Sequence, residues 1–464
     1  MEEDHALSLP RGFTLREAEA RRSGRSNEDV VTALYEQLRP TLLGYVYSRL
    51  NNSSALQWQA MITPSERSAK FHYAIRNVVR AAERLERAGR WVTYLNIGDP
   101  QAFGFRPPEH VLDAVARALS DRFTGYAHSS GLLAARESIA ANATNLGAST
   151  TPNDVILTAG ASEGADLVLT ALVNPGDEVL LPAPGYPIYP AILNKLGANP
   201  NYYNLDEKRN WQPSVDEVRA LITKSTRAIV LINPNNPTGC VTPDGTTRKL
   251  LHLALEQNLL VISDEVYRDL CFGKPPTSAS VLAAETAAPV ITLESLSKTH
   301  MLSGWRVGWM RFTHPDKMRD LIGAIARLAS GRLCSPTPAQ YAVKPALEEH
   351  RECVSEFVSE IRRRRDFAVE RVRAIEGLSC SRPEAAFYLM VKVADLEGRS
   401  DEQFVLDLLE HSGVLVVHGS GFGCDPGAGY FRLVYLAGEE TLDAAFTGIQ
   451  AFMASTQRKE LLPR

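Results

Sequence analysis

From about Ser65 onward, short and largely apolar runs alternate with longer stretches that carry charge on one face. The runs VILTAG (155–160), EVLLP (178–182), RAIVLIN (227–233), LLVISDE (259–265), PVITLES (289–295) and RVGWMRF (306–312) have strand length. Their apolar residues do not alternate with polar ones, so both faces are covered, and helices separate them; that pattern predicts a largely parallel sheet between two helical layers. A charged amphipathic helix (AKFHYAIRNVVRAAERLERAG) leads into a short strand, WVTYLNIG, ahead of this region. After about residue 345 a long charged helix (EFVSEIRRRRDFAVERVRAIEG) precedes the strands AAFYLMVKV, VLVVHG and YFRLVYL, which predicts a second, smaller α/β domain. The first 60 residues read differently. Asn27 or Asp29 is placed to cap a helix on which Val30, Val31, Leu34, Tyr35 and Leu38 recur at helical spacing. Pro40 interrupts it, and TLLGYVYSRL follows up to the turn-like NNSS.

Composition narrows the class. The 464 residues hold 44% hydrophobic and 22% charged side chains, as in a folded chain with a large core. The net charge of −4 supplies no basic field for nucleic acid or an anionic membrane. The start, MEEDHALSLPRGF, is acidic and lacks the apolar centre of a secretory signal, and no apolar run reaches the ~20 residues that span a bilayer. The six cysteines are scattered without a CxxC pair, which suits reduced thiols and predicts a cytoplasmic protein.

Four motifs fall at the ends of predicted strands, where open α/β sheets bind ligands. In AGASEGADL, the small residues Gly160, Ala161 and Ser162 bring free N–H groups to a helix start, a site suited to phosphate; an ordinary strand–helix turn is the competing reading. NPNNPTG (233–239) is either a rigid loop or the carrier of Asn236 as a hydrogen-bonding group for a bound ring. In SDEVY (263–267), Asp264 ends an apolar strand and needs a cationic partner, for which a protonated heteroaromatic nitrogen qualifies as well as a structural ion pair or a helix cap. In SLSKTHMLSGWRVGW (295–309), Lys298 stands beside Ser295 and Ser297 with Arg306 eight residues on, the pattern of a Schiff-base amine next to a phosphate cup.

In that succession the four motifs resemble the fold-type-I pyridoxal-phosphate enzymes of the class I/II aminotransferase family, over roughly residues 65–455. Within it, LNIGDPQAFGF, LVNPGDEVLLPAPGYPIY and LASGRLCSPTPAQYAV are most similar to bacterial alanine aminotransferases. The resemblance implies a large pyridoxal-phosphate-binding domain over 100–345 with a mostly parallel seven-stranded sheet sandwiched by helices. It also implies a small α/β domain from 65–99 with 346–464, and leaves 1–64 as a helical extension. Lys298 would carry the cofactor and shuttle the substrate proton. Asp264 would pair with the ring nitrogen, Tyr267 and Asn236 with the ring hydroxyl, and Tyr186 would stack on the ring. Gly160, Ala161, Ser162, Ser295, Ser297 and Arg306 would hold the phosphate, joined by Tyr126 from a second subunit, which implies a homodimer with shared active sites. Arg432, assisted by the Gly98 backbone and Asn236, would grip the substrate carboxylate, while Tyr73 and Arg76 would face the active-site mouth, where Arg76 could accept a distal carboxylate. The implied substrates are an L-amino acid of the alanine or glutamate type and a 2-oxo acid.

Two departures bear on the substrate. Ala385 replaces the glycine usual before the AFY segment, and His418 stands where proline or glutamine is common before GSGF. A β- or γ-elimination or replacement enzyme, for example one acting on S-adenosylmethionine, is the alternative that keeps the cofactor. A cofactor-sensing transcription regulator is disfavoured because residues 1–60 hold 7 basic and 8 acidic side chains. GSGFG (419–423) lacks dinucleotide-binding spacing, the Arg362–Arg365 run sits on a helix with Glu360, Asp366 and Glu370 and reads as a solvated face, and the histidines show no metal spacing.

Overall fold

The computed structural model describes residues 63–69, 71, 78–348 and 350–460. The chain divides into two units after Pro64, and all of the elements named here belong to the unit that begins at Ser65. The expected N-terminal helices, and Tyr73 and Arg76, lie outside the described residues.

Strand β1 (Thr93–Tyr94) precedes the main sheet, made of β2 (Val155–Thr158), β3 (Glu178–Ala183), β4 (Asn199–Asp206), β5 (Gln212–Pro213), β6 (Thr226–Ile232), β7 (Leu260–Asp264), β8 (Val290–Ser295) and β9 (Gly308–Thr313). Their spatial order is β2-β9-β8-β7-β6-β3-β4-β5, so the expected seven strands carry a two-residue eighth at one edge. Alternate residues of the strands serve two different layers. Val179, Leu181, Val230, Ile262 and Ile291 pack on the helices Ala161–Leu172, Ile188–Leu196 and Arg319–Gly331. Leu180, Ile229, Val261 and Val290 pack on Asp244–Glu256 and Ala279–Thr286. This is why apolar residues in these runs do not alternate with polar ones.

Neighbours from β4 through β3, β6 and β7 to β8 are parallel. Strand β9 is not; it runs antiparallel between β8 and β2. The segment from Leu296 to Val307 has only a four-residue helix and a short 3-10 turn. It lacks the crossover helix that would return the chain in the parallel sense, so the chain reverses beside β8. Strand β4 gave no sequence signal, because NPNYYNLD is rich in residues that disfavour strands. Tyr203 and Leu205, both buried in the layer formed with Asp244–Glu256, hold it in place.

The C-terminal part holds β10 (Leu378–Ser379), β11 (Tyr388–Val393), β12 (Val414–Leu415), β13 (Val417–His418) and β14 (Tyr430–Val434). A four-stranded antiparallel sheet runs β10-β11-β14-β13, while β12 pairs in parallel with β1. The predicted strand VLVVHG is therefore split at Val416 between two sheets. Helices His350–Arg373, Asp401–Ser412 and Glu439–Glu460 cover the small sheet. The Arg362–Arg365 run is not the solvated face expected. Arg365 is buried, with its guanidinium 4.2 Å from the Phe272 ring centre and donating to the Pro383 carbonyl at 3.1 Å. Arg362 donates to the Phe272 carbonyl, Arg363 pairs with Glu439, and Arg364 donates to the Leu436 carbonyl, so all four arginines fasten the helix to its surroundings. GSGF is a short 3-10 turn capped by the His418 side chain. Among the described residues, no helix is long and apolar enough to cross a membrane.

Candidate active site

The C-terminal ends of β2, β6, β7 and β8 open on one edge of the main sheet, and the four motifs lie just beyond them. They line a cavity of about 450 Å³, closed on another side by Ile97, Gly98 and Asp99 and by Tyr388 and Arg432 of the small sheet. Of the residues expected there, Gly98, Ala161, Ser162, Tyr186, Asn236, Asp264, Tyr267, Ser295, Ser297, Lys298, Arg306 and Arg432 all line it.

One part of the cavity is built for an anion. Gly160 precedes the helix Ala161–Leu172 at φ 81°, ψ 164°, a conformation essentially closed to other residues. A Cβ there would collide with the Arg306 guanidinium, and one on Gly308 would lie 2.7 Å from the Ala161 nitrogen. The two glycines thus let Arg306 and the unbonded N–H groups of the helix start converge. Arg306 is fixed by donating to the Ser303 carbonyl at 2.9 Å and the Ala159 carbonyl at 3.0 Å. Among the described residues no carboxylate pairs with it, so its charge is available to a ligand. Ser295 and Ser297 add hydroxyls, with the Ser297 N–H donating to Ser295 Oγ at 3.3 Å.

Another part presents a buried acid. Asp264 is 7% exposed, and among the described residues it has no cationic partner. Its Oδ2 accepts from the Tyr189 hydroxyl at 2.9 Å and its Oδ1 from the Val266 N–H at 3.3 Å. Burial pushes its carboxyl up to about 6, against the opposing pull of those two hydrogen bonds. Such a group gains from an N–H donor that brings positive charge.

Lys298 Nζ donates to the Gly98 carbonyl at 2.6 Å. Burial first, then the charges of Arg306 and Arg432, bring its amine down to about 8, with Asp99 opposing. An amine near 8 is partly uncharged at neutral pH, as a nucleophile and proton carrier requires. Arg432 is 1% exposed; it donates to Asn236 Oδ1 at 3.1 Å and to the Asn96 carbonyl. Its guanidinium lies 4.5 Å from the Tyr388 ring centre and 4.6 Å from that of Phe422. Gly98 is a glycine for lack of room: a Cβ would lie 2.6 Å from the Phe387 ring and collide with the Tyr388 hydroxyl.

Tyr126 does not line this cavity; it is 83% exposed at the surface. Tyr189, Tyr388, Asp99 and Ser303 do line it and were not singled out from the sequence. Tyr388 shares a 2.7 Å hydrogen bond with the Tyr267 hydroxyl, and Ser303 donates to Asp99 at 2.7 Å. Tyr189 had a signal, since it follows Tyr186 by three residues in PGYPIY, one helical turn on.

An anion cup, a buried acid able to partner a protonated ring nitrogen and a lysine with a lowered pKa in one cavity are the set that pyridoxal phosphate needs, and the residues present fit it. The fold and the site thus define a pyridoxal-phosphate enzyme of fold type I. Comparison with known proteins agrees: residues 91–449 match the family model for aminotransferase class I and II. The glutamate-pyruvate aminotransferase AlaA of Haemophilus influenzae is 36% identical over 391 residues, 82% of this chain and 96% of that protein. The alanine aminotransferase of Mycobacterium tuberculosis (strain H37Rv) is 34% identical over 418 residues, 87% of this chain and 95% of that protein. Among solved structures, the alanine aminotransferase from Pyrococcus furiosus superposes with a TM-score of 0.82 at 39% identity, covering 85% of this chain and all (100%) of that one. A double mutant of the aspartate aminotransferase of Thermus thermophilus gives 0.77 at 31% identity, covering 84% of this chain and 100% of that one. The chain belongs to the class I and II aminotransferase family and is a pyridoxal-phosphate-dependent aminotransferase acting on an amino acid and a 2-oxo acid. Elimination or replacement chemistry is not favoured.

Proposed function

We propose that the protein moves the amino group between L-alanine or L-glutamate and the corresponding 2-oxo acids, with the cavity residues in the roles their places allow. The observation that carries the assignment of roles is Lys298, an amine brought down to about 8 in the cavity that also holds Asp264 and Arg432. Pyridoxal phosphate, when bound, supplies an electron sink for the pair left on the substrate α-carbon. The helix start at Ala161 and Ser162 would hold the phosphate, together with Ser295, Ser297 and Arg306. Asp264 would partner the ring nitrogen and keep a proton there. Tyr267 and Asn236 would hold the ring hydroxyl, and Tyr186 would lie against the ring. Arg432 grips the substrate carboxylate in a two-pronged fork, with the Gly98 backbone beside it, and so orients the Cα–H bond. Lys298 Nζ would take that proton and hold it.

The names of the relatives support alanine and glutamate as donors. Tyr126, exposed and away from its own cavity, suits contact with the phosphate of a second subunit, and we assign a homodimer on that basis. Pairing of β1 with β12 supports grouping 65–99 with 346–464 as the small domain and 100–345 as the large one. The balance of charge and the absence of a membrane-length helix among the described residues support a cytoplasmic enzyme without nucleic-acid partners.

The test is the absorption spectrum of the holoenzyme before and after L-alanine, then L-glutamate, with no oxo acid added. Bleaching of the yellow lysine-bound band to the pyridoxamine form by either donor supports the assignment. A band that persists with both overturns the choice of substrates.

A further inference from the structure

We propose that Tyr189 is a positioning residue for the cofactor ring, acting only through the Asp264 carboxylate. The inference rests on Asp264 facing the ring nitrogen. A carboxylate on a strand end can rotate, and only the orientation that aims an oxygen at the ring is useful. Two groups fix it in this chain. The Val266 N–H binds Oδ1 at 3.3 Å, a long bond, and the Tyr189 hydroxyl binds Oδ2 at 2.9 Å. Tyr189 is 1% exposed and lies in the first turn of the helix Ile188–Leu196. It belongs to the same apolar layer as Leu181, Ile192, Leu193 and Ile232, so its ring has no room to swing away.

The hydroxyl has a second effect. It donates to the ionised carboxylate, and so opposes the rise that burial imposes on Asp264. Without it the acid would be both less aimed and less willing to carry the charge that keeps the ring nitrogen protonated. Burial raises the phenol well above its ordinary range, so Tyr189 stays a donor throughout the working pH range. Tyr186 and Tyr189 thus come from one turn of chain and both line the cavity, the second with its hydroxyl on the acid.

The experiment compares the wild type with Tyr189→Phe, which keeps the ring and removes one oxygen. Apoenzyme is titrated with pyridoxal phosphate and, separately, with its analogue in which the ring nitrogen is replaced by C–H. A hydrogen bond to a charged group is worth a roughly ten- to hundredfold change in an equilibrium constant. The variant is expected to bind pyridoxal phosphate about ten- to hundredfold more weakly while binding the analogue as tightly as wild type does. Equal losses for both ligands would mean that Tyr189 only supports packing, and no loss for either would mean that Asp264 is held without it; each result overturns the proposal. Undiminished binding of the analogue also shows that the variant folds. Bleaching of the wild-type spectrum by amino acids is unaffected by either result, so failure here is distinct from failure of the assigned reaction.

Discussion

Replacing Arg432 by lysine keeps a cation on β14 and removes the planar fork. In the protein the guanidinium is set by two donations, to Asn236 Oδ1 at 3.1 Å and to the Asn96 carbonyl, and by the rings of Tyr388 and Phe422 at 4.5 and 4.6 Å. An ammonium has no plane for these rings to orient and offers a carboxylate a single point of charge. The substrate therefore loses one of two charge-assisted hydrogen bonds, worth about 1.5–3 kcal/mol. At about 1.4 kcal/mol per factor of ten, kcat/KM for L-alanine should fall roughly ten- to 150-fold. The assay is stopped-flow absorbance of the half-reaction, run with L-alanine and with ethylamine, which lacks the carboxylate. Only alanine can lose the fork, so the preference for alanine over ethylamine should narrow by the same factor. If both amines slow equally, Arg432 acts through the general structure of the site, and its assignment as the carboxylate anchor is wrong.

Two further outcomes follow from the site. Gly160→Ala forces a Cβ into a conformation that costs about 1–3 kcal/mol and against the Arg306 guanidinium; urea unfolding of the apoenzyme should show that loss, and titration should show weaker binding of pyridoxal phosphate. Lys298→Ala should abolish turnover and the yellow band, and it should also alter how apoenzyme stability depends on pH. The folded amine at about 8 lies below its ordinary 10.5, so between those values the unfolded chain binds more protons and wild-type stability rises with pH; thermal melts of the Lys298→Ala apoenzyme should lack that part of the rise, and an unchanged profile would contradict a buried amine.

Much of the site was legible because it is local. Lys298 with Ser295 and Ser297, Asp264 with Tyr267, and Gly160 with Ala161 are each set within a few residues of a strand end, and the strands announce themselves because both of their faces are buried. Parallel strands that start a layer at the same level bring their C-terminal ends to one edge, so motifs far apart in sequence had to meet there. Strand order and sense within the sheet were another matter. The antiparallel β9 follows from how short the Lys298 segment is, and β4 from a pocket for Tyr203 and Leu205 that exists only once the Asp244–Glu256 layer has formed.

What only the tertiary structure decided are the pairings that carry no sequence spacing. Tyr189 meets Asp264 across 75 positions, Tyr267 meets Tyr388 across 121, and Arg432 meets Asn236 across 196. A hydrogen bond needs its atoms placed to within a few tenths of an ångström, which the packing of distant segments sets and no periodicity encodes. The sequence by itself determined which chemical groups stand at the strand ends, and with them the cofactor and the kind of reaction. The fold decided how those groups are aimed and charged: burial and the neighbouring arginines bring Lys298 down toward the range where an amine can work, while the Tyr189 hydroxyl, from a distant segment, opposes the rise that burial imposes on Asp264.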